Sequence, residues 1–224
     1  MKYIRNSNLF KKIDSYRIPI RERLNPYLGP IRQKKLNDIS FTLISNNCWG
    51  GHVYRYYNLP YNSPTIGLYF YADDYVKFCG NLRFYCNDCV LSFIDSNNSR
   101  HYEKLKEQGH ADSIIGRLDD VEIVFLHYHS REEAFDKWNR RVKRINWDNI
   151  AIKFSQMNYA KYEHLKAIDE LPFEKKVIFT TNDYPLINGV VFKEYEGEEQ
   201  ILDDTTHFRK YISLTKFING LGVK

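Results

Sequence analysis

Apolar residues along the chain gather in short dense runs between polar clusters. From Ile39 to Ser45 the run ISFTLIS is β-branched and barely alternates, the pattern of a strand covered on both faces. It stops at Asn46, Asn47 and Gly50-Gly51, and a helix is expected from His52 to Tyr57, ended by Pro60 and Pro64. Three later runs read as strands: VEIVFLHY from Val121 to Tyr128, IAIKFS from Ile150 to Ser155 and KVIFTT from Lys176 to Thr181. Between them, Ser130 and Glu133 form a capping box that opens a helix to about Ile145, and a second helix contains His164 to Leu171. Strands alternating with helices predict βαβ units, hence an α/β fold of three layers: a largely parallel sheet with helices on both faces. VVFKEY suits an edge strand or hairpin, and a helix near Phe208 to Ile218 follows.

The remaining segments are less regular. Residues 66–112 are aromatic and of mixed period; a helix is expected near Ala72 to Cys79 and a strand near Val90 to Ile94, and the stretch reads as a small subdomain or insertion in an α/β domain covering 39–224. Asn97 to Gly109 is polar, as a loop or a helix. Residues 1–38 form a basic arm. There Leu9, Phe10, Ile13 and Tyr16 share one helical face, and Pro19, Pro26, Gly29 and Pro30 should break regular structure before the first core strand.

Composition narrows the class. The chain has 224 residues, 43% hydrophobic, enough for a sizeable core, and 16% aromatic with 18 Tyr and 14 Phe, which suits stacking pockets for sugars or nucleotides. No apolar run approaches the about 20 residues that span a bilayer. The N-terminus is charged where a signal peptide would be apolar, and four unevenly spaced Cys suit free thiols, so the expectation is a cytoplasmic protein. Residues 1–36 carry ten Lys or Arg against Asp14 and Glu22, a local excess of +8 in a chain of net charge +5, so the body is mildly acidic. Such an arm points to peripheral contact with the inner face of a membrane or to a phosphate-bearing partner, and no zinc-finger, RNP or basic-zipper pattern points to nucleic acid.

Ligands of open α/β sheets bind outside the carboxyl ends of the strands. The predicted strands deliver Asn46, Asn47 and Cys48, then His127 and His129, then Ser155 and Gln156, then Asn182 and Asp183 to that edge. Cys48 before a helix start suits a thiolate nucleophile, with His52, His127 or His129 as base and His127 preferred, Asn46 and Asn47 as oxyanion donors, Asp183 in the same crevice, and Gly50 and Gly51 opening backbone amides to substrate beside Trp49. The helix FDKWNRRVKRINW sets Arg140, Arg141, Lys143 and Arg144 next to Trp138 and Trp147, cations and indoles that suit a phosphate and a stacked base or sugar, as in nucleotide or coenzyme A recognition. Asp73-Asp74 resembles the acidic pair of some nucleotide-sugar glycosyltransferases. Cys79, Cys86 and Cys89 offer three thiols without a second ligand pair and are read as packing residues, with no metal site.

Two long blocks, ISNNCWGGHVYRYYNLPYNSPTIGLYFYADDYVKF and GRLDDVEIVFLHYHSREEAFDKWNRRVKRINWDN, resemble a bacterial family of unknown-function domains whose members are labelled exopolysaccharide or capsular polysaccharide biosynthesis proteins. The Asn47-Cys48 turn is also similar to that of coenzyme-A-binding acetyltransferase-like proteins of capsule synthesis, although Trp49 departs from their pattern. The resemblance implies a transferase of surface polysaccharide, with acyl transfer from coenzyme A preferred. The alternatives are a nucleotide-sugar glycosyltransferase and a membrane-associated, non-enzymatic partner in polysaccharide assembly.

Overall fold

The structure is a computed structural model and describes residues 19–20 and 22–223. The expected amphipathic helix of Leu9 to Tyr16 lies outside them. Two sheets organise the chain. The first is wholly parallel, in the order β1 (Thr42–Ser45), β6 (Ile150–Ser155), β7 (Lys175–Thr180), β8 (Gly189–Val191). Its inner strands are buried on both faces, as their unbroken apolar runs require.

Alternation along those strands divides the core. Ile44, Ile152, Phe154 and Ile178 pack with α3 (Ala72–Gly80) and α6 (Tyr162–Asp169). Leu43, Ala151, Val177 and Phe179 point the other way, into α2 (Trp49–Tyr57) and α7 (Leu214–Ile218). Helices thus cover both faces, and the protein is an α/β fold.

The second sheet is antiparallel, in the order β2 (Leu68–Tyr69), β5 (Val121–Phe125), β4 (Ile114–Leu118), β3 (Ser92–Ile94). It corrects the expected place of Val121 to Phe125, which belongs here and not to the parallel sheet. The reason is local: Asp119 and Asp120 form a two-residue turn, with Asp119 at φ 52°, that folds β5 back on β4. A strand buried on both faces looks the same in either sheet. The chain leaves the parallel sheet after β1 and returns at β6, so the second sheet, α4 (Tyr102–Glu107) and α5 (Arg131–Val142) lie between two neighbouring strands.

Residues 25–33, expected to be irregular, form α1 (Asn25–Gln33) despite Pro26 and Pro30. Pro26 stands in the first turn, where the missing N–H has no helical partner to lose. Tertiary contacts hold the rest. Arg32 Nη1 donates to Tyr56 O at 2.6 Å and Gln33 Nε2 to Tyr57 O at 2.7 Å, satisfying carbonyls at the end of α2. Gly29 permits this contact, since a Cβ there would stand 2.8 Å from Tyr57 O.

Ser130 caps α5, accepting from Glu133 N at 3.1 Å. Glu133 reaches back one residue further than in a standard box, accepting from His129 N at 2.7 Å. Cys79 and Cys86 lie in the core, with Cys89 packed against it.

Candidate functional site

The turn between β1 and α2 is held from beneath. Asn46, buried, clamps β6: its Nδ2 donates to Ser155 O at 3.0 Å and its Oδ1 accepts from Ser155 N at 3.1 Å. Asn47 Oδ1 accepts from Trp49 N at 3.2 Å, capping the start of α2, and from Lys153 Nζ at 2.8 Å. Asn47 Nδ2 donates to Asp204 Oδ1 at 2.9 Å, and Asp204 also receives Lys153 Nζ and Ser155 Oγ. Lys153 is 0% exposed and Asp204 1%. Asn46 and Asn47, expected as oxyanion donors, are thus engaged in this buried network. Lys153 and Asp204 were not anticipated, although a Lys inside the apolar run IAIKFS was a visible signal.

Cys48 emerges above this network at the first turn of α2. Its Sγ donates to Leu68 O at 3.7 Å. The surroundings of Cys48 disfavour the expected thiolate. Burial, and then the Asp204 carboxylate, push the Cys48 thiol up to about 11, outweighing Lys153 and Arg55. The enclosing protein costs a thiolate its hydration, and the start of α2 does not compensate.

Cys48 lines a cleft of about 340 Å³ together with Gly51, His52, Arg55, Tyr61, Ile66, Gly67, His127, Tyr128, Lys137 and Arg141. His127 arrives by an unexpected route, on the turn after β5 of the antiparallel sheet, where its N–H and that of Leu126 both donate to Gly67 O, at 3.0 and 3.1 Å. Gly67 has φ +78°, the left-handed region that favours glycine. His52 stands beside Arg55, whose Nη2 is 3.0 Å from its Nδ1, and burial followed by that guanidinium lowers the His52 pKa, favouring the neutral ring.

Arg141 is the distinctive wall of the cleft. It is 7% exposed, its Nη1 donates to Ile66 O at 3.0 Å and Tyr128 Oη at 2.5 Å, and its guanidinium lies 5.3 Å from the Tyr61 ring centroid. Among the described residues no carboxylate forms an ion pair with it, whereas Lys137 pairs with Glu133, and Arg55 lies 3.6 Å from Glu22. Among the described residues no Asp or Glu lines the cleft.

The other expected site residues are elsewhere. Trp49 is buried against Phe179, Phe208 and Phe217, and Trp138 against Phe78 and Phe125. Gly50 serves close packing, its Cβ position being 3.2 Å from Ile66 Cδ1. The cationic run of α5 divides: Arg141 turns inward, while Arg140 and Arg144 are exposed and away from the cleft. His129 lines a separate opening of about 360 Å³ with His110, Asp112 and Ser113. Asp183 is exposed beyond β7. Asp73 and Asp74 point apart. Asp73 pairs with His164 Nε2 at 2.8 Å, while Asp74, fully buried, receives Arg100, His101 at 2.5 Å and Glu122 N at 2.9 Å.

A parallel sheet joined to an antiparallel one, with a cation-walled cleft between the β1–α2 turn and the turn after β5, defines an α/β protein. The model of a domain of unknown function, DUF1919, matches residues 20–221, and the chain belongs to that family. It is similar to an uncharacterized protein of Haemophilus influenzae, 32% identical over 197 residues that cover 88% of this chain and 87% of the relative. No helix among the described residues is long and apolar enough to cross a membrane.

Proposed function

We propose that the chain is a transferase of bacterial surface polysaccharide synthesis that binds a phosphate-bearing donor in the cleft of Cys48 and Arg141, with acyl transfer from coenzyme A preferred. Arg141 carries the reading. A buried guanidinium without an ion-pair partner is costly unless an anion meets it, and the two hydrogen bonds that hold it both use Nη1, leaving Nη2 and Nε for a ligand. His52, Arg55 and Lys137 add donors around the same space. The polysaccharide context rests on the resemblance of the two long sequence blocks.

In this reading the phosphate end of the donor sits on Arg141, and His127, exposed at the mouth, accepts the proton of the acceptor hydroxyl as it attacks the acyl carbonyl. Cys48 works as a neutral thiol that positions the acyl group, in keeping with its raised pKa. The nucleotide-sugar alternative draws less support, because Asp74 is enclosed by Arg100 and His101 and turned away from Asp73.

Calorimetry with coenzyme A, and with uridine and guanosine diphosphate sugars in the presence of manganese, tests the proposal. Coenzyme A should bind, and Arg141→Met should weaken it at least tenfold, a loss of about 1.4 kcal/mol or more. Binding of only a nucleotide-sugar would favour the alternative, and silence from all of these ligands would reject the phosphate-site reading.

A further inference from the structure

The buried network under the β1–α2 turn contains the parts of a self-forming amide cross-link. Lys153 Nζ lies 2.8 Å from Asn47 Oδ1, and both the Lys153 amine and the Asn47 amide nitrogen donate to one carboxylate, that of Asp204. The Asn47 carbonyl is polarised by two further donors, Trp49 N at 3.2 Å and Ser45 Oγ at 3.1 Å. Trp49 and Phe179 enclose the amine, their ring centroids 5.8 and 5.7 Å from Nζ. We infer that Lys153 and Asn47 join in an intramolecular isopeptide bond, with Asp204 as the proton carrier. The site is independent of the cleft reading above.

The atoms balance without an oxidant or co-reactant. Burial lowers the Lys153 pKa, and the free amine forms as its proton passes to the Asp204 carboxylate to which it already donates. The amine attacks Asn47 Cγ, and the oxygen's developing charge falls on the Trp49 N–H and Ser45 hydroxyl. Asp204 protonates Nδ2, the Cγ–Nδ2 bond breaks, ammonia leaves, and a proton of Nζ returns to Asp204. One amide bond replaces another.

Asn46 is the poorer electrophile. Its Oδ1 is 3.2 Å from Nζ, and its Nδ2 donates to Ser155 O, so no carboxylate stands ready to help that nitrogen leave. The bond from residue 47 to residue 153 would tie the carboxyl end of β1 to β6 and close the loop that carries the whole antiparallel sheet.

Intact-mass and tryptic mass spectrometry of the purified full chain test this. The mass should fall about 17 Da below that of the sequence, the loss of one ammonia. Trypsin should fail to cut after Lys153 and release a branched peptide joining Asn47 to Lys153. Lys153→Arg, Asn47→Ala and Asp204→Asn should each restore the full mass for the sequence they carry. Full wild-type mass after prolonged incubation at 37 °C would overturn the inference. So would a 17 Da loss that hydroxylamine removes or that maps to the Asn-Gly pairs at Asn188 or Asn219, the mark of a succinimide. Because the wild-type chain itself is decisive, a variant that fails to fold does not blunt the test.

Discussion

Alkylation of Cys48 puts a number on how strongly the fold disfavours its thiolate. The assay uses a Cys89→Ser background, because Cys79 and Cys86 are buried and Cys89 is the other thiol with partial exposure. With a pKa of about 11 for Cys48, about one thiol in a thousand is ionised at pH 8, against about a quarter for an ordinary Cys of pKa about 8.5. Iodoacetamide labelling should therefore run about 200-fold slower than in the unfolded chain, before any loss from restricted access. The rate should rise about tenfold per pH unit from pH 7 to 10 and level off only near pH 11. Asp204→Asn should shift the profile to lower pH, because the Asp204 carboxylate is the second cause of the elevation after burial. A profile that levels off near pH 8 or 9 would refute the desolvation reasoning and restore Cys48 as a thiolate nucleophile.

Other expectations concern the fold and the arm. Asp74→Ala removes the acceptor of Arg100, His101 and the Glu122 N–H from a fully buried position, and a cost of about 3–5 kcal/mol is expected. For a chain this size that is a fall of about 6–20 °C in thermal midpoint, and an unchanged melt would contradict the assignment of this cluster to stability. Gly67→Ala forces a side chain onto φ +78° and within 3.2 Å of Tyr128 Cε2, so a loss of about 1–2 kcal/mol in urea denaturation should come with weaker ligand binding in the cleft. Removal of residues 1–18 leaves α1 in place, deletes five of the arm's ten Lys and Arg, and should weaken flotation with anionic vesicles; equal recovery would dismiss lipid contact by that part of the arm.

Parts of the candidate site were legible, by reasoning that proved only partly apt. Cys48, His52, Gly51, His127 and Arg141 were each marked in the sequence by their residue type and place, and the structure gathers all five around one cleft. The sequence argument placed His127 there as the end of a parallel strand, whereas it arrives from an antiparallel hairpin whose Asp119-Asp120 turn went unrecognised. Arg55, Tyr61, Tyr128 and Lys137 were missed because nothing nearby in sequence marks them. Their common property is to face the same space, and only the docking of α2 and α5 across the β1–α2 turn creates it. Asp204 was missed for the same reason, since a loop carboxylate has no periodicity.

By itself the sequence determined the strands β1, β6 and β7, the capping of α5 and the α/β class. These depend on burial of neighbouring residues and on hydrogen bonds three or four residues apart, which a run or a spacing records. Tertiary structure decided which sheet β5 joins, which of four clustered cations turns inward, and that Cys48 sits half-buried above a buried Lys153–Asp204 pair. Those outcomes depend on desolvation and on partners brought together from distant parts of the chain. Charge and burial couple through space, and spacing along the chain carries no trace of that distance.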